Sequence, residues 1–154
     1  MAEAGTPATT DAATAADLYR DVVLERARRP LRDGVLDPAD GVAEGSNPLC
    51  GDRTRVTLRC DAAGRLAEIR HDTRGCAICA ASADLMAERA AGLDRTGLAA
   101  LFGRFERMVS GGTADDELGS LAAFAELHAY ASRRKCAMLP FTALLAAFGA
   151  EGEQ

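Results

Sequence analysis

The sequence predicts an α+β domain in which a small antiparallel sheet is covered by helices. Near residues 56–71, a stretch of period-two alternation, a turn and a second extended stretch are typical of a β-hairpin. From Gly75 onward, long segments rich in alanine, leucine and charged residues favour helices instead. A helix, a hairpin and then several helices fit an α+β architecture better than alternating βαβ units.

The first part of the chain is predicted to hold one helix, a loop and the hairpin. The helix starts at Asp17, with apolar residues recurring on one face, and Pro30 ends it. Residues 31–48 are rich in Gly, Pro and Asp and are predicted to form a loop. The two strands are expected at about 56–60 and 66–71, joined by a turn that contains glycine.

The rest of the chain is predicted to be helical. Gly75 ends the second strand, and residues 76–91 are nearly all helix-compatible. An amphipathic helix follows at 93–109 and ends at a pair of glycines. A further helix is expected at about 115–131, and the last one after Pro140, because proline suits the first helical position.

The chain of 154 residues is long enough for one domain with a single modest core. We predict a disordered tail at 1–16, one domain over 17–148 and a second tail at 149–154. A net charge of −5 favours neither nucleic acid nor an anionic membrane as a partner. No apolar run reaches the roughly 20 residues that span a bilayer. An odd number of cysteines, five, without a secretory signal predicts reduced thiols in the cytoplasm.

Three of the cysteines lie where a thiol could ligate a metal or carry sulfur. Cys50 is followed by Gly51 and Asp52, and a Cys-x-Asp pair can direct sulfur and oxygen toward one cation, a mixture that zinc accepts. Cys76 lies at a predicted helix start, where backbone N–H groups favour the thiolate. Cys136 follows three consecutive cations, which favour the thiolate as well. Spacing alone does not establish that these residues form one site.

The residues around these thiols also form a recognisable pattern. Its parts are Leu18-Tyr19-Arg20, Asn47-Pro48-x-Cys50-Gly51-Asp52, Gly75-Cys76 before an Ala/Ser-rich helix, and Arg133-x-Lys135-Cys136 before Leu139-Pro140-Phe141. Over roughly residues 17–145 the chain resembles the U-type proteins of iron–sulfur cluster assembly, the IscU and NifU N-terminal family. It most resembles the SufU branch. IscU-type proteins have histidine where this chain has Lys135, and the interval from Cys76 to Cys136 is long, as in SufU.

The resemblance implies an IscU/SufU-like fold and a zinc site made of Cys50, Asp52, Cys76 and Cys136. It implies that Cys50 accepts persulfide sulfur from a PLP-dependent cysteine desulfurase of the SufS type, for use by downstream iron–sulfur assembly proteins. Counted as an enzyme, such a protein is a sulfurtransferase. From its position near Cys136, Arg133 is expected either to steer the persulfide or offset the thiolate charge, or to be an ordinary exposed arginine. The alternative is a scaffold on which the same residues hold an iron–sulfur cluster.

Two further functions stay open at this point, a purely structural zinc module and a thiol–disulfide oxidoreductase. The second would use the Cys76-x-x-Cys79 motif, but the βαβ context of such proteins is missing. We therefore expect Cys79 to be a small packing residue. Cys60 is expected in the core, and His71 as a structural hydrogen-bonding group. His128 is not expected to be a ligand.

Overall fold

A computed structural model describes residues 20–152, except for the side chains of His128 and of residues 150–152. The predicted tail at 1–16 and the predicted helix start at Asp17 lie outside the described residues. The prediction of an α+β fold is confirmed. In chain order the elements are α1 (residues 20–28), β1 (Gly41–Asn47), β2 (Asp52–Cys60), β3 (Leu66–Arg74), α2 (Ala77–Ala90), α3 (Arg95–Val109), a 3-10 helical segment (Asp116–Ala129) and α4 (Ala131–Gly152).

The sheet has three antiparallel strands in the order β1-β2-β3, and β2 and β3 form the predicted hairpin. Val56 lies opposite His71, and Leu58 lies opposite Ile69. The three apolar side chains among these four are buried against the helices. Residues 52–56 of β2 alternate between buried and exposed positions, as in a half-buried strand, whereas 57 and 58 are both buried.

The first strand, β1, corrects the prediction of a loop over 31–48. Its sequence, Gly-Val-Ala-Glu-Gly-Ser-Asn, has few of the β-branched and aromatic residues that mark strands. Strand geometry comes instead from pairing with β2 along its whole length. A Cβ placed on Gly45 would lie 3.0 Å from Leu139 Cδ1, so glycine allows α4 to pack closely on β1. Gly45 thus lowers the strand propensity of this segment, but the close contact with α4 requires a glycine there.

The core lies between the sheet and the helices, with α2 at its centre. Every residue of α2 from 81 to 87 is buried. An aromatic group joins α3, the 3-10 segment and α4. The ring centroids of Phe105 and Phe141 are 4.7 Å apart, and those of Phe105 and Phe124 are 5.9 Å apart. These contacts fix α4, which carries one of the predicted site cysteines.

Two helix predictions are corrected. Residues 116–129 form a 3-10 segment with a break at Gly119 (φ 55°, ψ −133°), rather than one α-helix. Pro140 lies inside α4 instead of at its start. Proline has no N–H to donate to the carbonyl of Cys136. The helix α4 nevertheless continues past Pro140, because the part of the helix that follows is buried against the core. Cys136 therefore lies on a helix and not in a preceding loop, and α4 extends to Gly152.

A buried carboxylate ties the segment after α1 to α2. Asp84 has no solvent exposure and accepts hydrogen bonds from Arg26 Nη1 (3.0 Å) and from the amides of Leu31 (3.0 Å) and Arg32 (2.7 Å). His71 Nε2 lies 3.0 Å from its Oδ1, so His71 has the structural role expected of it. Burial opposes ionisation of Asp84, but these hydrogen bonds outweigh burial and lower its pKa to about 2. Within residues 20–152, no helix combines the length and apolarity needed to cross a bilayer.

Candidate thiol and metal centre

Cys50 lies in a tight turn between β1 and β2 that is organised by Asn47. The amides of Leu49 and Cys50 donate to Asn47 Oδ1 and to its carbonyl oxygen, both at 3.2 Å. The amide of Gly51 donates to the same carbonyl at 2.8 Å. Gly51 has φ 77°, a conformation that glycine adopts at little cost. The turn leaves Cys50 exposed and Leu49 86% exposed, so the thiol is accessible at the end of the sheet.

Asp52, the first residue of β2, places a buried carboxylate between the thiols. It is 1% exposed, and its Oδ1 accepts a hydrogen bond from the Cys76 amide at 2.9 Å. Its Oδ2 lies 3.3 Å from Cys50 Sγ and 3.6 Å from Cys76 Sγ. Burial would raise the pKa of Asp52, but hydrogen bonds from Cys136, from the Cys76 amide and from the other two thiols outweigh burial and lower it. Asp52 is therefore an ionised acceptor at neutral pH.

Two different helices bring Cys76 and Cys136 to the cluster around Asp52. Cys76 is the N-cap of α2, and its Sγ accepts a hydrogen bond from the Cys79 amide at 3.4 Å. Cys136 is buried on α4, with its Sγ 3.6 Å from Cys50 Sγ. Burial, and then its contact with the Asp52 carboxylate, raise the pKa of the Cys136 thiol. The raised pKa means that the Cys136 thiol favours the protonated form at neutral pH.

The structure brings all four predicted ligands together. One ligand atom from each of Cys50, Asp52 and Cys136 lies within 4.8 Å of the others, and Cys76 joins this group through Asp52 Oδ2. Three thiols with one carboxylate form a donor set that Zn²⁺ accepts, and thiolates also hold iron–sulfur clusters. The donor chemistry of the site fits either group. Metal binding would release protons, because thiols ligate as thiolates.

Two open pockets meet beside this cluster. One, of about 510 Å³, is lined by the Cys50 turn, the three site thiols and the first turns of α4. The other, of about 540 Å³, lies between α1, α2 and the 3-10 segment. Both are lined by Cys76 and Arg133. Exposed Arg133 and Lys135 therefore place positive charge at the opening that leads to the thiols.

The remaining cysteines lie outside this cluster. Cys79 has no solvent exposure, and burial followed by the negative charge of Asp52 raises the pKa of its thiol to about 12. A thiol in that state is a poor nucleophile at neutral pH, which agrees with the packing interpretation and not with a redox motif. Cys60 is partly buried and packs against the core.

One residue of the site was missed by the sequence analysis. Gly75 was predicted to end the second strand and to belong to the Gly75-Cys76 motif, but it also has φ 156°, and a Cβ placed on it would overlap the carboxylate of Asp52. The Gly-Cys pair is visible in the sequence, whereas the contact with a residue on another strand is not. Only the fold reveals that this glycine adjoins a ligand candidate.

Similarity to known proteins agrees with this geometry. Residues 18–137 match the family described as the NifU-like N-terminal domain. The zinc-dependent sulfurtransferase SufU of Bacillus subtilis is 34% identical over 130 residues, which cover 82% of this chain and 86% of that protein. The iron–sulfur cluster assembly scaffold protein IscU of Thermotoga maritima is 30% identical over 128 residues, which cover 82% and 89% of the two chains.

Comparison with solved structures indicates the same family. A solved structure of a nitrogen-fixing NifU-like protein (N-terminal) from Brucella abortus superposes with a TM-score of 0.81 at 27% identity, covering 90% of this chain and 96% of that one. The predicted IscU/SufU-like fold is thus confirmed. Motifs, fold and sequence similarity agree over most of the chain, and the protein belongs to the IscU/NifU N-terminal family of iron–sulfur cluster assembly proteins.

Proposed function

We propose that the protein is a zinc-dependent sulfur acceptor, a sulfurtransferase that takes persulfide sulfur from a PLP-dependent cysteine desulfurase of the SufS type. The observation that carries this proposal is the uneven exposure of the clustered thiols. Cys50 is exposed, whereas Cys136, 3.6 Å away, is buried. A relay needs one thiol that a protein partner can reach and a protected set that holds it in place.

Cys50, Asp52, Cys76 and Cys136 would hold the zinc ion. When bound, zinc would stabilise the thiolate forms at neutral pH, which the metal-free surroundings of Cys136 disfavour. Asp52 would orient the cluster, because one of its oxygens is held by the Cys76 amide and the other faces the thiols. The turn organised by Asn47 would present Cys50 to the donor.

The transfer step is a thiolate–persulfide exchange and needs no external oxidant or reductant. The Cys50 thiolate attacks the terminal sulfur of the desulfurase persulfide. An S–S bond to Cys50 forms, the donor's S–S bond breaks, and the donor cysteine leaves as a thiolate. Arg133 and Lys135, at the pocket opening, would attract the anionic persulfide. Downstream iron–sulfur assembly proteins would then receive the sulfur.

A scaffold that assembles and transfers an iron–sulfur cluster is the second candidate, because the same thiolates suit iron. The chain is similar both to a sulfurtransferase and to a scaffold protein, so sequence similarity is compatible with either function. Lys135, directly before Cys136, favours the relay. Its exposed ammonium group adds positive charge at the pocket and offers no neutral nitrogen to a cluster.

The first experiment measures zinc, iron and acid-labile sulfide per chain in protein purified without oxygen, and then tests whether the protein accelerates a SufS-type desulfurase. We expect about one zinc per chain, little iron and clear acceleration. Cys50→Ser should abolish acceleration, while Cys60→Ser, at a partly buried thiol outside the cluster, should not. Stoichiometric iron and sulfide would favour the scaffold. Zinc without any acceleration would indicate a structural module, and a metal-free folded protein would contradict both main candidates.

A further inference from the structure

Gly75 connects β3 to α2 and lies directly before Cys76. Its φ of 156° falls in a region that residues with side chains rarely adopt. A Cβ placed on it would overlap Asp52 Oδ1, and would lie 2.8 Å from Asp52 Cγ and 3.0 Å from Asp52 Cα. Any side chain at this position must therefore displace either the carboxylate or the backbone of β2.

The two oxygens of that carboxylate have different partners. Oδ1 accepts the hydrogen bond from the Cys76 amide at 2.9 Å, and Oδ2 faces the sulfur atoms of Cys50 and Cys76. Because Asp52 is almost fully buried, a displaced carboxylate would lose these partners without gaining water in their place. The orientation of the Asp52 carboxylate therefore depends on the absence of a side chain at Gly75.

We propose that Gly75 is a positioning residue for Asp52. By leaving room for the carboxylate, it holds Oδ1 on the backbone and presents Oδ2 to the sulfur atoms of Cys50 and Cys76, so that Asp52 acts as a donor of fixed direction. Gly75 touches no metal or sulfur substrate and acts only through Asp52. The consequence for metal binding rests on the proposed function, whereas the hydrogen bond from the Cys76 amide to Asp52 Oδ1 belongs to the metal-free protein.

The chain provides a matched control in Gly111. It also has a positive φ, of 121°, but a Cβ placed there would have nothing within 4 Å. Gly111→Ala therefore carries the backbone cost of an alanine in this region without displacing a carboxylate. A difference between Gly75→Ala and Gly111→Ala measures the contact with Asp52.

The first test is amide hydrogen exchange by NMR on reduced, metal-free protein. We expect the Cys76 amide to be protected in the native chain and in Gly111→Ala, and to lose protection in Gly75→Ala and in Asp52→Ala, while the hairpin amides stay protected. A Cys76 amide that stays protected in folded Gly75→Ala would overturn the proposal. If Gly75→Ala does not fold, Gly75→Ala/Asp52→Ala should fold again, because the two carboxylate atoms that the added methyl group meets most closely are then absent and only the 3.0 Å approach to the Cα of residue 52 remains. A double variant that remains unfolded, while Asp52→Ala alone folds, would also overturn it.

The second test is a double-mutant cycle on the affinity for Co²⁺ and Zn²⁺, with the metal ion alone as the probe. Residues that orient a metal ligand typically change metal affinity by about 10- to 100-fold. We expect a loss in that range for Gly75→Ala and, once Asp52 is alanine, little further loss. Losses that simply multiply would show that Gly75 acts independently of Asp52, against the proposal. If the native chain binds neither ion, the proposed function fails, and the NMR experiment still decides the role of Gly75.

Discussion

The hydroxyl group of Ser82 donates a 2.6 Å hydrogen bond to the carbonyl oxygen of Ala137, and both residues are fully buried. Ser82 lies on α2, the helix that Cys76 caps, and Ala137 follows Cys136 on α4. The bond thus joins the helices that carry two of the site thiols. It also lies one residue from the carbonyl that Pro140 leaves without its usual helical donor.

Ser82→Ala is expected to destabilise the protein by about 1 kcal/mol, the usual cost of losing one net hydrogen bond. Urea unfolding of the metal-free protein, followed by circular dichroism, measures this change. Ser110→Ala, at an exposed serine after α3, is the control and should leave the midpoint unchanged. An unaltered midpoint for Ser82→Ala would mean that α2 and α4 do not depend on this contact.

Asp84 should make stability depend on pH in the acid range. Its pKa is about 2 in the folded protein and ordinarily 3.8, so its ionised form stabilises the fold above about pH 4. This contribution, about 2 kcal/mol, is lost as the pH falls from about 4 through about 2. Asp84→Asn should therefore flatten the pH dependence of the unfolding free energy in that window, whereas Asp116→Asn, at an exposed position, should not. An equally steep dependence in Asp84→Asn would place its origin elsewhere.

Asp52→Ala is expected to weaken zinc binding at least about 10-fold while the protein stays folded, because it removes a donor at the edge of the core and leaves three thiols in place. Competition with a chromophoric chelator measures the affinity, and circular dichroism verifies the fold. Asp61→Ala, in the hairpin turn, is the control. Unchanged zinc affinity in Asp52→Ala would exclude Asp52 from the site.

Arg133→Ala should slow persulfide transfer to Cys50 without changing zinc content, because Arg133 lines the pocket but supplies no ligand atom. The loss should be largest at low ionic strength, where exposed charges are least screened. Single-turnover transfer monitored by mass spectrometry at several salt concentrations is the measurement. Arg133→Lys should recover part of the rate, whereas equal rates for Arg133→Ala and the native chain would make Arg133 a surface residue only.

The elements that could be predicted are those whose signal is local. Alternation along β2 and the Ala/Ser-rich stretch of α2 are properties of neighbouring residues, and both predictions are confirmed. β1 was missed because its small residues suit packing under α4 rather than strand propensity. The start of α4 was misplaced because tertiary packing overrides the preference of Pro140 for a first turn.

The candidate site, like the fold, could be predicted only in part. The types of its residues are visible in three short motifs, and the resemblance to a known family grouped them. Their distances are not visible in the sequence, because they depend on how distant segments pack. The contact of Gly75 with Asp52 illustrates this limit, since it joins β2 to the end of β3 and depends on a backbone angle that the sequence does not encode locally.

The separation of Cys50 and Cys136 in the chain has a consequence for biosynthesis. They lie 86 positions apart, with most of the domain between them. Closing so long a loop costs entropy that only the packed hairpin and helices can offset. A chain emerging from the ribosome therefore carries scattered thiols and no cluster until α4 has been made and has docked. Truncated copies that lack α4 lack Cys136 and therefore cannot assemble the four-residue centre.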